Sequence, residues 1–308
     1  ATGFGTWWAR GRPAPLSPGL SEWRTVFSFG GKASLIGITS SLSMDANDLI
    51  VGKILGFGPV AMISRAQGMM NIFQRDAMQA IRGVMQPAFA REVRAGVNPE
   101  ETFVRSVVMV SGVAWPFFGF ISIFSLESLR LLFGPQWDAA APLVPWFCIA
   151  GSIAAFSSLV PTLLMARGNI NELVTLHLLI DPARVICFGL AIWLRPELDT
   201  FAAVFLLFYA ASVPVSFWLK DKVQPTSYAA LARAIRPSAH AALPPVLAAL
   251  LFAAWARSDG GVVALPMFLA FMPVYAALWM MALVWASHPF LEEPSIQALL
   301  RRFRHSRD

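Results

Sequence analysis

The sequence predicts an all-α, polytopic transmembrane bundle of about eight spans, and three observations carry that prediction. Hydrophobic residues make up 56% of the chain and charged residues only 14%, against roughly 25% charged in an ordinary soluble domain. Mean hydropathy is +0.60. The apolar residues also fall in long blocks separated by short polar, Arg-containing segments, which is the layout of repeated membrane crossings.

Taken in order, Trp7-Trp8-Ala9-Arg10 runs into Gly11-Arg12-Pro13-Ala14-Pro15. This is no signal-peptide pattern and reads as the end of an apolar segment entering a linker. The chain begins with Ala1 rather than Met. Residues 1–22 are therefore expected to be the end of a preceding helix and a cytoplasmic linker, and the sequence a fragment lacking its N-terminal portion. Blocks holding the roughly 20 apolar residues that a span needs run from Val26 to Leu55, Val60 to Ala88, Phe103 to Phe124 and Ala139 to Met165. Four more run from Leu173 to Leu194, Phe201 to Leu219, Ala241 to Ala256 and Val262 to Ala286. Residues 23–225 are read as a six-span bundle, and 226–308 as two additional spans with a basic tail from Ser295 to Asp308. The tail reads as a solvated end facing anionic headgroups.

Lys and Arg concentrate in alternate connections. One set holds Arg10, Arg12 and Arg24, then Arg91, Arg94 and Arg105, then Arg167, then Lys220, Lys222, Arg233 and Arg236, then Arg301, Arg302, Arg304 and Arg307. The other has only Lys53, Arg130, Arg195 and Arg257. The first set is predicted to be cytoplasmic, which puts both ends of the chain inside. Trp23, Trp137, Trp193, Trp218, Trp255 and Trp285 stand near block ends, as interfacial anchors do.

The net charge of +6 does not indicate a nucleic-acid partner, because the basic residues punctuate block ends instead of forming runs interleaved with aromatics. Cys148 and Cys187 lie inside apolar blocks without metal-ligand spacing and read as structural. No HExxH motif, P-loop or nucleophile elbow occurs, and Gly30-Gly31-Lys32 lacks the upstream glycine of a phosphate loop. No catalytic residue, metal or cofactor is expected, and the chain is predicted not to be an enzyme.

Charge inside the membrane costs a few kcal/mol and usually faces a bundle interior or an aqueous cavity. At about 100° per residue, Arg65, Asn71, Arg75, Asp76, Gln79, Arg82 and Gln86 of the second block fall within roughly 140° of one another. Met62, Ile63, Met70, Phe73, Ala77, Ile81 and Val84 take the opposite side. The wet stripe is about 25 Å long, longer than one ion pair requires and suited to a water-filled path. In the first block Ser28, Lys32, Thr39 and Ser43 align within roughly 60°. Together the two helices predict a cationic wall, with Lys32, Arg65, Asn71, Arg75, Gln79 and Arg82 facing an anionic cargo, since Arg pairs its donors with phosphate oxygens. In the fifth block His177, Asp181 and Arg184 share one face beside Pro182. They read either as a neutralised buried pair or as a protonation or cation site for coupling. Asp45 and Asp48 read as a cap of the outer loop.

Asp48-Leu49-Ile50-Val51-Gly52-Lys53-Ile54-Leu55-Gly56, Gly58-Pro59-Val60-Ala61 and Ser64-Arg65-Ala66 resemble the segment joining the first two C-terminal-lobe helices of polysaccharide and O-antigen flippases. Met85-Gln86-Pro87-Ala88-Phe89, Leu131-Leu132-Phe133-Gly134-Pro135-Gln136-Trp137, Ala140-Ala141-Pro142-Leu143 and Leu163-Leu164-Met165-Ala166-Arg167-Gly168 continue the resemblance in order, over roughly residues 20 to 220. Each motif is loose alone. The chain resembles the C-terminal lobe of a Wzx-type exporter of the multidrug, oligosaccharidyl-lipid and polysaccharide exporter superfamily.

That resemblance implies two lobes working by alternating access in the bacterial inner membrane. The cargo would be undecaprenyl-pyrophosphate-linked oligosaccharide for lipopolysaccharide or exopolysaccharide. Partners would be that lipid-linked oligosaccharide, membrane lipids and a missing N-terminal lobe supplied by the full-length chain or by a separate one. The alternatives are a multidrug or cation antiporter of the same superfamily, whose cavity would favour acidic or aromatic groups, and a membrane glycan polymerase or ligase, which would need a large outer loop.

Overall fold

The computed structural model describes residues 23–258 and 262–292. The predicted linker over residues 1–22 and the basic tail from Ser295 lie outside the described residues. The chain is an all-α polytopic bundle, in the order α1 (Trp23–Leu55), α2 (Phe57–Asn71), α3 (Met78–Arg94), α4 (Glu100–Ile123), α5 (Ser125–Phe133), α6 (Val144–Ala154), α7 (Val160–Ala166), α8 (Ile170–Leu194), α9 (Leu198–Val223), α10 (Tyr228–Ala256) and α11 (Leu265–Trp285). A π turn over Ile72–Ala77 joins α2 to α3, a 3-10 stretch over Pro135–Leu143 leads into α6, and a 3-10 turn over Pro289–Glu292 follows α11.

Among the described residues, six segments are long and apolar enough to cross a membrane: α4, Pro135–Ala154, α8, α9, α10 and α11. They correspond to the third to eighth predicted spans. The first two predicted spans differ for a physical reason. α1 has 33 residues, about 50 Å of helix, ample to span. It also holds Lys32, Asp45, Asp48 and Lys53, which lower its apolarity. The second block is divided by the π turn into helices of 15 and 17 residues and carries the arginine stripe. Asp45 and Asp48 are exposed within α1 itself, not in a loop. α1 ends at Gly56, whose φ of 88° lies where side chains are strained and glycine is not, so the chain reverses in one residue.

α4 is the most enclosed of the spans. Phe120 of α4 and Phe124 just past its end pack with Phe252 of α10 and Phe268, Phe271 and Tyr275 of α11. A second aromatic cluster joins Phe147 of α6 to Phe188 of α8 and to Phe201 and Phe205 of α9. Pro116 within α4 has no N–H, which leaves the Gly112 carbonyl without its helical donor. Trp279 Nε1 of α11 donates to that carbonyl at 3.0 Å. One turn to either side, Ser238 Oγ donates to the Val108 carbonyl at 2.9 Å and Tyr275 Oη to the Pro116 carbonyl at 2.7 Å. The last two helices are thus docked on α4 by a ladder of side-chain donors. At the opposite end of α10, Arg257 Nη2 donates to both oxygens of buried Glu127 on α5, at 2.9 and 2.8 Å.

His288 completes this docking beyond the end of α11. Its ring is buried against Gly112, where a Cβ would come within 2.6 Å of it. Ser238 spends its proton on Val108, so its oxygen accepts from His288 Nε2 at 2.9 Å, and Nδ1 accepts from the Phe290 N–H at 3.1 Å. Both nitrogens are therefore satisfied in the neutral form, and burial pushes the imidazole below its ordinary value. A depressed value in the folded state means that His288 docking is complete above the unfolded value, roughly 6.5, and is lost as pH falls through the folded value. Acidification is expected to lower the protection factors of the amides over residues 287–292, the observed exchange being divided into the intrinsic rate at each pH, and His288→Phe to remove that dependence. Protection factors that stay constant between neutral and mildly acid pH would contradict the assignment.

Candidate functional site

The π turn decides where the arginine stripe points. It inserts one extra residue into the helical repeat, so everything after it is turned by roughly 100° from the position a straight helix predicts. Phe73 within it is buried against Phe117 and Phe118 of α4, and Gln74 Nε2 donates to the Gly151 carbonyl of α6 at 2.7 Å. The core side follows the shifted register. Val84, predicted to be apolar-facing, is 70% exposed, while Met78 and Phe89 are fully buried and Met85 packs against the core.

The predicted stripe is correspondingly split. Arg65, which precedes the turn, leaves it. Its guanidinium lies over the rings of Phe133 and Trp137, at 5.1 and 4.9 Å from their centroids. This is a packing role beside the α5 end, and Arg65 is withdrawn from the continuous face that the straight-helix projection gave it. Asn71 is half-buried just before the turn. Arg75 and Asp76 stand on the turn with side chains 77% and 58% exposed, joined by an Nε–Oδ1 contact of 3.0 Å. Gln79 and Gln86 are exposed and Arg82 is half-buried. No carboxylate lies within ion-pair distance of Arg82 or of half-buried Lys32 among the described residues.

The companion wall on α1 is also modified. α1 packs along α8 and meets α2, but makes little contact with α3, which leans on α7. The two polar helices therefore part beyond their shared outer turn. Ser28 and Lys32 remain on the uncovered part of α1, and Thr39 bonds back to the Leu35 carbonyl at 2.7 Å. Ser43 is buried against α8 and is not a wall residue. The rest of α1 is strongly apolar where it is uncovered, with Phe27 and Leu49 each 73% exposed, and Phe57 at the start of α2 is 87% exposed.

His177, Asp181 and Arg184 are brought together as predicted, with two α1 serines that the sequence did not attach to them. Ser40 Oγ donates to Asp181 Oδ2 at 2.7 Å, and His177 Nδ1 lies 3.1 Å from the same oxygen. Nδ1 is also 3.0 Å from Ser40 Oγ, whose proton is already used, so Nδ1 is the donor. Arg184 Nη2 stands 3.5 Å from Asp181 Oδ1 and donates to Ser43 Oγ at 2.9 Å. Ser43 in turn donates to the Asp181 carbonyl at 2.7 Å. The carboxylate is surrounded by donors, and the cluster ties α1 to α8.

A further cluster escaped the sequence reading, which counted Lys220 only as an orientation charge. Lys220 has no exposed surface. Its Nζ donates to Glu100 Oε2 at 2.7 Å, Thr226 Oγ1 at 2.7 Å and the Gln224 carbonyl at 3.2 Å. Gln224 Nε2 donates to Glu100 Oε2 at 2.7 Å, and Gln224 Oε1 accepts from Arg167 Nη1 at 2.6 Å. The starts of α4 and α10 and the ends of α7 and α9 meet here.

Comparisons with known proteins bear on the first half of this architecture. A family model described as polysaccharide biosynthesis protein matches residues 3–142. That span takes in α1 to α5 and every predicted cargo-facing residue, and stops before the α8 network. The chain is 22% identical over 143 residues to the lipopolysaccharide biosynthesis protein WzxC of Escherichia coli (strain K12), covering 46% of this chain and 29% of that protein. It is 23% identical over 161 residues to the amylovoran biosynthesis protein AmsL of Erwinia amylovora, covering 52% and 41%. It is 21% identical over 204 residues to the teichuronic acid biosynthesis protein TuaB of Bacillus subtilis (strain 168), covering 65% and 41%. The chain thus spans well under half the length of each of these relatives. No solved structure matches it.

Proposed function

We propose, from the match of residues 3–142 to the family model described as polysaccharide biosynthesis protein, that the chain forms one lobe of an exporter that flips a lipid-linked oligosaccharide across the bilayer for surface-polysaccharide assembly. The observation that carries this reading is the π turn. It presents Arg75 and Asp76 outward at the middle of the second predicted span, continued by Gln79 and Gln86, on a helix whose other side fills the core. A charged pair at membrane depth is costly against lipid tails and is stable against water or protein, so this face borders an aqueous path. Its excess of arginine favours an anionic cargo such as undecaprenyl pyrophosphate carrying a glycan for lipopolysaccharide or exopolysaccharide.

In this reading Arg75, Arg82 and Lys32 attract the pyrophosphate, Asn71 and Gln79 hydrogen-bond to the cargo, and the lipid tail stays in the bilayer. The other lobe faces the uncovered sides of α1 and α3, and rocking between the lobes exposes the headgroup to alternate sides. In this reading the bundle sits in a bacterial inner membrane with the Arg-rich connections and both ends of this chain on the cytoplasmic side, as the positive-inside bias favours. Two connections at the opposite side are short, a single residue between α1 and α2 and three between α8 and α9, and the stretch between α4 and α6 is taken up by α5 and the 3-10 stretch. A transporter rather than a polymerase or ligase fits them.

The test is reconstitution of the complete protein in vesicles with a fluorescent undecaprenyl-pyrophosphate oligosaccharide. Outer-leaflet label is expected to appear with unchanged chemical structure, several-fold more slowly in Arg75→Gln. A modified product would establish an enzyme instead. Unchanged flipping by a well-inserted Arg75→Gln would remove the cargo face from this helix.

A further inference from the structure

A cavity of about 350 Å³ opens where the α3–α4 and α9–α10 connections meet the end of α7, lined among others by Val93, Val97, Asn98, Arg167, Val223 and Gln224. We propose that it binds the phosphate headgroup of an anionic membrane lipid, as a site separate from the cargo face.

The donors are set for phosphate. Arg167 is half-buried at the cap of α7, and its hydrogen bond from Nη1 to Gln224 Oε1 at 2.6 Å fixes the guanidinium plane. Nε and Nη2 have no partner among the described residues, and a fixed guanidinium fork with free donors matches phosphate oxygens. Asn98 uses Oδ1 to accept the Glu100 N–H at 3.1 Å, which leaves its Nδ2 as a further donor at the cavity wall. The acid tied to Arg167 through Gln224 is Glu100, and Lys220 neutralises it at 2.7 Å. Arg91 and Arg94 in the last turn of α3 add positive potential along the same edge.

The apolar wall argues for a lipid over a soluble phosphate. Val93, Val97 and Val223 offer surface to a glycerol backbone and the first methylenes, and the cavity lies at helix ends on the arginine-rich side, at headgroup level. Basic pockets between spans on that side are suited to anionic headgroups. The larger neighbouring cleft of about 740 Å³ is lined by Glu100 and Glu101 as well as Arg105. Its carboxylates disfavour phosphate, which singles out the Arg167 cavity.

Native mass spectrometry of the purified chain decides the matter, with phosphatidylglycerol and phosphatidylethanolamine of identical acyl chains offered in turn. Phosphatidylglycerol is expected to be retained preferentially, and Arg167→Gln to lower its retention about tenfold, the loss typical of one charge-assisted bidentate contact. Arg167→Lys should fall between the two. Asn98→Asp guards against a folding artefact: the aspartate still accepts the Glu100 N–H, yet places a negative charge at the wall and should lower retention as well. Unchanged retention in Arg167→Gln and Asn98→Asp would overturn the proposal, as would equal retention of the two lipids. Displacement of phosphatidylglycerol by excess inorganic phosphate would assign the cavity to a soluble anion and equally overturn it.

Discussion

Replacing Lys220 by methionine is expected to destabilise the bundle by about 3–5 kcal/mol, the cost of leaving one partner of a buried ion pair uncompensated. Methionine approximates the volume of lysine and preserves the packing on the Phe103 ring, which the ammonium approaches to 4.8 Å from the centroid. It removes every donor. Glu100 Oε2 would keep only Gln224 Nε2, while Glu100 Oε1 already lacks a partner. Thr226 Oγ1 and the Gln224 carbonyl would lose theirs too. The measurement is the thermal unfolding midpoint in detergent for the wild type, Lys220→Met and Lys220→Met with Glu100→Gln. The double variant should recover more than half of the loss, because the uncompensated charge is gone. A single variant within about 0.5 kcal/mol of the wild type, the range of surface substitutions, would show that water already solvates this cluster.

The sequence made the apolar blocks legible because composition over some 20 residues is insensitive to local geometry. It was blind wherever the outcome depended on a neighbour. The fourth predicted span, Ala139 to Met165, is a 3-10 stretch, α6, a set of tight turns over residues 155–159, and α7. Pro161, lacking an N–H, stands just beyond those turns, and Ser158 Oγ bonds to the Ala155 carbonyl at 2.8 Å within them. The seventh, expected from Ala241, starts at Tyr228. Pro237, Pro244 and Pro245 are all carried inside α10, as proline is tolerated where packed neighbours satisfy the freed backbone groups.

The candidate site shows the same division. The wheel singled out Arg75, Gln79 and Arg82 because they are chemically unusual in an apolar block. It misplaced Arg65 and Val84, because one π turn, wedged by Phe73 and Gln74 against α4 and α6, breaks the single period that a wheel assumes. Pairs such as Lys220 with Glu100, 120 residues apart, or Glu127 with Arg257 leave no periodic trace at all. Only the fold brings them together.

The network joining α1 to α8 gives the second large effect. Asp181 and Arg184 are 4% and 8% exposed, so Asp181→Leu leaves the buried guanidinium only its bonds to Ser43, and Arg184→Leu leaves the buried carboxylate only its donors on Ser40 and His177. Each is expected to cost about 3–5 kcal/mol, whereas the double replacement by leucine should cost far less than the sum. Thermal midpoints of the two single variants and the double variant form the cycle. Additive losses would mean that the pair does not act as a unit. Ser43→Ala probes the interhelical part: it leaves the ion pair intact and removes both the acceptor for Arg184 and the donor to the Asp181 carbonyl, for an expected loss of about 1 kcal/mol. The consequence reaches function through geometry. Ser40 and Ser43 tie α1 to α8, whereas the α2–α3 rod that bears Arg75 and Arg82 packs on α6 and α7. Lys32 and the arginines therefore sit on differently anchored supports, so the rocking proposed above would alter their separation without breaking either buried network.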